Sequence, residues 1–138
     1  QERHERHNSH LQQKYATIKE EEVRYEEIMT EDAEYLVVAF GSAARIAQKA
    51  IEDCRSEGIK VGLLRPITLW PFPTKRVAEL AGQVKGILCA EINAGQMVQD
   101  IRLAVEGKTP VSHYGRMGGM VPTPEEIAEV IRKQLVQE

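Results

Sequence analysis

Polar side chains and glycine crowd into one short segment in the second half of the chain, EINAGQ. Within it, Glu91 supplies a carboxylate, Asn93 and Gln96 supply amides, and Gly95 adds backbone freedom. Carboxylates and amides hold ligands by hydrogen bonds, and glycine lets a ligand approach the main chain closely. A plain turn between a strand and a helix needs fewer special residues. We therefore interpret the segment as a binding or interface site; the alternative is a turn whose polar groups satisfy one another.

A second candidate, the segment GSAAR, combines Gly41 with Ser42. Glycine permits a tight turn, serine can cap a helix, and the free N–H groups at a helix start favour an anion. The segment matches neither GxGxxG nor the phosphate loop of nucleoside triphosphatases, so neither ligand class is predicted. A simple helix cap is the favoured interpretation, and a small phosphorylated ligand is the alternative.

Two further segments each carry an arginine. Arg65 precedes Pro66, which forces an extended backbone conformation. Its planar guanidinium could bind a carboxylate or phosphate ligand, or it could form an internal ion pair with an acidic side chain that holds the loop in place. The two interpretations are equally favoured. Arg116 lies in the loop YGRMGGMVP beside Gly118 and Gly119. The glycines and methionines of that loop suit an adaptable contact surface, and a flexible surface loop is the alternative.

Large apolar residues occupy a proline-rich loop, RPITLWPFP. Trp70 and Phe72 in this loop are expected to meet another domain or subunit, because large aromatic side chains are enriched at such contacts. The alternative is an intrachain role in which Trp70 folds over the helix that follows.

The histidines and the remaining polar residues predict neither a catalytic residue nor a metal ligand. His4, His7 and His10 recur in a charged, solvated segment without carboxylates at ligand geometry. His113 is an isolated histidine at the end of a strand, where a hydrogen-bonded structural role is the favoured interpretation. No Ser–His–Asp or Cys–His set can be assembled, so the chain by itself is not predicted to be a complete enzyme.

Composition limits the class of protein. The chain has 138 residues, 42% of them apolar, which fits one globular domain. With 18 basic and 21 acidic residues, its net charge of −3 argues against a nucleic-acid or membrane partner. Cys54 and Cys89 each lie in an apolar pattern, as expected of core residues in a reducing, cytoplasmic compartment. The start at Gln1 suggests a processed protein or an excised fragment.

The apolar patterns predict strands alternating with helices. A charged helix over 1–22, with a stripe of Leu11, Tyr15 and Ile18, precedes a domain over 23–138. A weak strand at 23–29 is followed by firmer strands; the firmer strands are predicted at 35–40, 60–65, 86–91 and 110–114. Helices follow; they are predicted at about 41–57, 74–84, 96–106 and 124–135. This alternation predicts an α/β sandwich with a mainly parallel sheet, whose carboxyl edge would gather all four candidate loops.

The order of VVAFGSAA, VGLLRPITLWPFP, GILCAEINAGQM and YGRMGG resembles the transketolase C-terminal-like domain of thiamine-diphosphate enzymes. More narrowly, it is similar to the final domain of the alpha-type subunit of 2-oxoacid:ferredoxin oxidoreductases of the 2-oxoisovalerate or 2-oxoglutarate type. The resemblance covers 25–135 and is most specific at 63–73 and 91–96. It implies a three-layer α/β/α sandwich with a five-stranded, mostly parallel sheet and one antiparallel edge strand. Its strand order implies a ligand or partner site at Gly41, Ser42, Glu91 and Asn93.

The implied parent enzyme decarboxylates a 2-oxoacid, with 2-oxoisovalerate favoured, to an acyl-coenzyme A while reducing ferredoxin. Its centres are thiamine diphosphate with Mg²⁺ and an iron–sulfur cluster, and coenzyme A is a co-substrate. The resemblance places none of these centres in this domain and leaves a contact with coenzyme A open. It implies a role in assembly and active-site shaping, with other domains of the same subunit and the thiamine-binding and ferredoxin-like subunits as partners. The alternatives are a free-standing α/β protein that binds a phosphorylated ligand at Gly41-Ser42 and, less favoured, a small hydrolase.

Overall fold

The structure is a computed structural model that describes residues 1–136, so the last two residues of the predicted 23–138 domain lie outside the described range. Within 1–136, one sheet is flanked by helices. Its five strands are β1 (Tyr25–Ile28), β2 (Tyr35–Ala39), β3 (Val61–Pro66), β4 (Gly86–Glu91) and β5 (Val111–Gly115). The five helices of this range are α1 (Glu2–Glu21), α2 (Gly41–Ser56), α3 (Thr74–Ala81), α4 (Met97–Val105) and α5 (Pro124–Val130). A π-helical turn, Ile131–Leu135, continues α5.

The sheet has the strand order β1-β3-β2-β4-β5. Strands β2, β3, β4 and β5 run parallel, whereas β1 pairs antiparallel with β3, with Tyr25 opposite Pro66. The predicted mostly parallel sheet with one antiparallel edge strand is therefore confirmed. Glu26 and Glu27 suit β1 to its edge position because charged side chains discourage pairing with another chain. From β2 the chain turns first to β3 on one side and then to β4 on the other, which opens a crevice between β2 and β4.

The core divides into two clusters, one on each face of the sheet. Alternation along β2 sends Val37 and Ala39 to the face covered by α2 and α5, and Leu36 and Val38 to the face covered by α3 and α4. All four of these residues are fully buried, as expected of a parallel strand with helices on both faces. The predicted three-layer sandwich is confirmed.

Local sequence signals determine two helix ends, the start of α5 and the end of α2. The Thr123 hydroxyl accepts from the Glu126 N–H at 3.2 Å, and the Glu126 carboxylate accepts from the Thr123 N–H at 2.9 Å, which is the predicted capping box of α5. Gly58 follows α2 with φ of 88°, a left-handed conformation that glycine adopts without steric cost.

Helix α1 lies outside the two core clusters. Its Leu11 and Ile18 are half-buried, and all its other side chains are exposed. The Tyr15 ring meets the Trp70 ring edge to face, with ring centres 5.9 Å apart and planes at 89°. No helix among residues 1–136 is long and apolar enough to cross a membrane.

Candidate functional site

Strands β2, β3, β4 and β5 end at the same side of the sheet because they run parallel. We call this side, with the loops that follow these strands, the carboxyl edge. All the predicted site residues lie on it: Gly41, Ser42, Arg65, Trp70, Phe72, Glu91, Asn93, Gly95, Gln96, Arg116, Gly118 and Gly119.

Glu91 is the last residue of β4, and its side chain is fully buried. One carboxylate oxygen accepts from the Met97 N–H at 2.8 Å and the other from the N–H groups of Val98 and Gln96, both at 3.2 Å. The Asn93 amide donates at 3.1 Å and the Cys89 thiol at 3.3 Å. The carboxylate therefore accepts hydrogen bonds from the free N–H groups at the start of α4. In most helices a side chain at the N-cap position accepts these hydrogen bonds.

The pKa of Glu91 is lowered. Burial by itself raises the pKa of this carboxyl, but the hydrogen bonds from the Met97 N–H, Asn93, Cys89 and the Val98 N–H outweigh burial. Burial and the neighbouring carboxylate raise the pKa of the Cys89 thiol, which keeps the thiol protonated as a donor to Glu91. The carboxylate is therefore charged, buried and hydrogen-bonded on both oxygens.

The turn after β4 packs closely against the end of β5. A Cβ atom on Gly115 would lie 2.1 Å from the Asn93 carbonyl oxygen and 2.8 Å from His113, so only glycine fits there. The Asn93 side chain accepts from the Gly95 N–H at 2.7 Å, and Gly95 has φ of 107°. His113 Nε2 lies 3.4 Å from the Glu91 carboxylate but makes no hydrogen bond within the described part of the chain.

Gly115 and the contact of His113 with Glu91 are absent from the predicted site. The only sequence signal was the position of both residues at the end of a strand, which does not reveal the neighbouring turn. Of the predicted residues, Glu91, Asn93, Gly95 and Gln96 do come together. Glu91 accepts from the Asn93 amide and the Gln96 backbone N–H, and Asn93 accepts from the Gly95 N–H, whereas the Gln96 side chain is exposed. This is the arrangement of the self-satisfied turn, the alternative interpretation.

The Gly41-Ser42 segment begins α2 as predicted, but the helix cap predicted for Ser42 is wrong. Among the described residues no side chain caps α2, whose N-cap position is Phe40. The Ala44 N–H donates to the Phe40 carbonyl at 3.3 Å, Gly41 adopts φ of 57°, and Ser42 is exposed. The left-handed glycine places serine one residue inside the helix, too late to act as a cap.

Arg65 forms the internal ion pair that was one of its two interpretations. Its guanidinium donates to the Glu26 carboxylate at 2.9 Å, across the antiparallel pairing of β1 with β3. A second pair ties β1 to α3, since Arg76 contacts both oxygens of Glu27, at 2.5 and 3.1 Å. These arginines hold the edge strand against the rest of the fold.

Arg116 also pairs within the chain, with Glu126 of α5 at 2.9 Å. The loop beyond it is exposed: Met117 at 60%, Met120 at 53% and Val121 at 50% of their surface, around two glycines in left-handed conformations. The arginine fastens the base of the loop, and the apolar side chains face outward.

Trp70 and Phe72 have different environments. Phe72 is half-buried against the core cluster of α3 and α4, while Trp70 is 56% exposed although it touches Tyr15 of α1. A groove of about 940 Å³ between α1, this loop and α3 is lined by Tyr25, Trp70 and Phe72, with Lys19 among the charged residues at its rim. The loop therefore has a partner in this chain and still presents a large aromatic surface.

The described residues include neither a group of metal ligands nor a set of cysteines that would fit an iron–sulfur cluster of the implied parent enzyme. Within 1–136, no three or more His, Cys, Asp or Glu side chains are grouped to hold a metal ion. Cys54 and Cys89 are buried, unpaired and located in the clusters on opposite faces of the sheet. They cannot bind one iron–sulfur cluster, which takes about four thiolates. No chemical step through thiamine diphosphate, Mg²⁺ or a cluster is derived from these residues.

The strand order and the loops of the carboxyl edge define a transketolase C-terminal-like α/β domain. A split-gene transketolase structure has the same fold, with a TM-score of 0.68, 18% identity and coverage of 81% of this chain and 41% of that chain. The family model for pyruvate:ferredoxin oxidoreductase core domain II matches residues 33–127, and the chain belongs to this family.

Several proteins of known function are similar to most of this chain. The ketoisovalerate oxidoreductase subunit VorB of Methanothermobacter thermautotrophicus is 48% identical over 94% of this chain and 36% of its own length. The 2-oxoglutarate synthase subunit KorA of the same organism is 33% identical over 78% of this chain and 29% of its own length. The chain thus spans about a third of these relatives.

A solved structure supports the same relationship. The 2-oxoglutarate:ferredoxin oxidoreductase from Magnetococcus marinus, with 2-oxoglutarate, coenzyme A and succinyl-CoA bound, has a TM-score of 0.72 and 26% identity. The match covers 81% of this chain and 20% of that chain.

Proposed function

We propose that this chain is the C-terminal module of a 2-oxoacid:ferredoxin oxidoreductase subunit and that the parent enzyme acts on 2-oxoisovalerate. The parent reaction would be oxidative decarboxylation to an acyl-coenzyme A with reduction of ferredoxin. The observation that carries the proposal is the 48% identity over 94% of the chain to a ketoisovalerate oxidoreductase subunit. Identity to the 2-oxoglutarate synthase subunit of the same organism is 33%, which favours the branched-chain substrate.

The module would act in assembly and in shaping the active-site surroundings. Its carboxyl edge supports this role because the charged groups there pair within the chain: Glu91 with the start of α4, Arg65 with Glu26, and Arg116 with Glu126. Such groups make the loops rigid and leave the chemistry to thiamine diphosphate, Mg²⁺ and iron–sulfur clusters held elsewhere in the parent. We further propose that 1–22 is a separate charged segment and that the domain proper begins at 23, since α1 adds no fully buried side chain.

The contact with the rest of the enzyme would be made by the loop after β3. Ile67, Leu69 and Trp70 are 53%, 47% and 56% exposed, and Tyr25 of β1 is 39% exposed beside them. Together they form an aromatic and aliphatic surface of the kind found at the centre of protein interfaces. A thiamine-binding domain or subunit and a ferredoxin-like subunit are the proposed neighbours of this surface.

The test of the proposed function is made on the native protein. An antibody raised against this domain is used to purify its target anaerobically from source cells, and the size and subunits of the target are recorded. The sample is then assayed for coenzyme-A-dependent dye reduction with 2-oxoisovalerate and with 2-oxoglutarate. We expect a longer chain, partner subunits and faster reduction with 2-oxoisovalerate. A lone inactive chain of 138 residues would contradict the proposal and favour the alternative, a small protein that binds a phosphorylated ligand at Gly41-Ser42.

The docking surface is tested by Trp70→Ala in the purified multi-subunit enzyme. The variant loses the edge-to-face contact with Tyr15, which costs about 1 kcal/mol of stability, and it loses the exposed indole. We expect weaker retention of the partner subunits. Leu103→Ala is the matched control because Leu103 is 76% exposed on α4 and does not line the groove beside Trp70. Lower stability with unchanged subunit retention would show that Trp70 serves only its own chain.

A further inference from the structure

Strand β5 forms a free edge of the sheet. It pairs only with β4 among the described residues, and the Ile87 N–H donates to the Pro110 carbonyl at 2.9 Å just before the strand. Because successive residues of a strand turn their backbone groups to opposite sides, Ser112 and Tyr114 face β4. The N–H and C=O groups of the alternate residues, Val111, His113 and Gly115, therefore point away from the sheet.

The two edges of the sheet differ in how well they are protected against pairing with another strand. β1 carries Glu26 and Glu27, and charges of this kind prevent a second strand from adding to an edge. β5 has the sequence VSHYG, with no Lys, Arg, Asp, Glu or Pro, and all five of its residues are half-buried. This edge can accept another strand without bringing like charges together.

A knob and a hollow flank the free edge at opposite ends of β5. The knob is the side chain of Met117, which is 60% exposed and lies two residues after the end of the strand. The hollow, of about 330 Å³, lies at the start of β5 and is lined by Arg102, Val105, Gly107, Thr109, Pro110 and Val111. An apolar, unbranched side chain such as methionine adapts well to an irregular hollow of this kind.

We infer that β5 pairs antiparallel with β5 of a second copy of this chain, about a two-fold axis at His113. In this register Val111 lies opposite Gly115 of the other copy, and all three outward-facing residues of each copy exchange hydrogen bonds. Thr109 and Met117 lie two residues beyond the two ends of β5, so this register brings Met117 of each copy toward the end of the other strand, where the hollow lies. Each knob thereby enters the hollow of the other copy.

The symmetry is what favours a second copy over a strand from a different protein. A two-fold interface requires one surface that is complementary to itself. Here a single two-fold axis allows the outward-facing backbone groups of β5 to form hydrogen bonds, pairs strands that carry no Lys, Arg, Asp or Glu, and places Met117 near the hollow. The surface is separate from the loop around Trp70, so the inference does not depend on the proposed function.

The first test is the mass of the chain by analytical ultracentrifugation over a concentration series. We expect the mass to rise from 15.6 kDa toward twice that value. Met117→Lys should weaken the association at least about tenfold, because it puts a second cation into a hollow that already contains Arg102. Met29→Lys is the matched control: Met29 is 41% exposed and follows the opposite edge strand. The control should associate like the parent chain.

Hydrogen exchange provides the second readout, at single residues. With rising concentration, the amides of Val111, His113 and Gly115 should become protected, whereas those of Ser112 and Tyr114 are protected throughout by β4. A chain that is monomeric at every concentration overturns the inference. A strand of a different protein would then be the favoured partner of the β5 edge. A dimer that is unaffected by Met117→Lys, or that forms without protection of the alternate amides, overturns it as well.

Discussion

Replacing Glu91 with glutamine removes a charge from the turn that joins β4 to α4. The carboxylate accepts hydrogen bonds on both oxygens, from Met97 and Asn93 on one and from Val98, Gln96 and Cys89 on the other. A glutamine keeps one acceptor oxygen and turns an NH₂ group toward the remaining donors. At least two buried donors then lack an acceptor. Since each such group costs about 1–3 kcal/mol and local relaxation recovers part, we expect a loss of about 2–4 kcal/mol.

A loss of this size is a large share of the stability of a single domain, about 5–15 kcal/mol. It corresponds to a fall in melting temperature on the order of 10 °C. The effect should also depend on pH in a defined direction. Because the pKa of Glu91 is lowered in the folded chain, its contribution is present above the pKa of an unfolded glutamate, about 4.3, and is lost as the pH falls through the folded value.

The assay is urea unfolding followed by circular dichroism, at pH 7 and at steps toward pH 3. The difference in unfolding free energy between the parent and Glu91→Gln should be largest at neutral pH and should shrink on acidification. Glu52→Gln is the matched control, since Glu52 is exposed on α2, and it should stay within about 0.5 kcal/mol of the parent chain. A Glu91→Gln variant as stable as that control would refute the assignment of Glu91 as the anchor of α4.

Two further predictions concern close packing and the edge strand. Gly115→Ala should destabilise the chain by about 3 kcal/mol or more, because the new Cβ meets the Asn93 carbonyl at 2.1 Å. Gly107→Ala should cost only about 1 kcal/mol, since its Cβ meets no described atom within 4 Å and the cost comes from φ of 75°; equal melting temperatures for the two variants would contradict this account. Arg76→Gln should lower the unfolding free energy at pH 7 by about 1–2 kcal/mol, because it breaks the two-point contact that lowers the pKa of Glu27. The same variant should lose its deficit as the pH falls and Glu27 is protonated, and a pH-independent deficit in urea unfolding would contradict the ion-pair explanation.

The sequence predicted those parts of the fold that depend on local patterns. Continuous apolar runs gave the parallel strands, and the 86–91 segment matches β4 residue for residue. Thr123, Pro124 and Glu126 predicted the start of α5 because a capping box is formed within a few residues of chain. The crowding of Glu91, Asn93 and Gly95 was interpreted as a binding or interface site, and in the structure these groups form hydrogen bonds with one another.

The roles that the sequence could not predict depend on backbone conformation and on contacts between distant segments. The partner of Arg65 is Glu26, and the two interpretations of this arginine could be separated only once β1 was placed beside β3. The Ser42 cap was wrong because the backbone conformation of Gly41 shifts the helix start by one residue. The need for glycine at position 115 arises from the Asn93 carbonyl, which belongs to a different loop.

The sequence by itself determined the alternation of strands and helices, the resemblance to a family, and the segments that follow each strand, because periodicity and capping act over a few neighbouring residues. Only the tertiary structure decided which of those segments touch and what their polar groups do. Glu91 became a helix anchor because α4 begins beside its carboxylate, and β5 became an open edge because no described strand lies beyond it. Such roles depend on distances across the sheet, which a linear pattern of residue types does not encode.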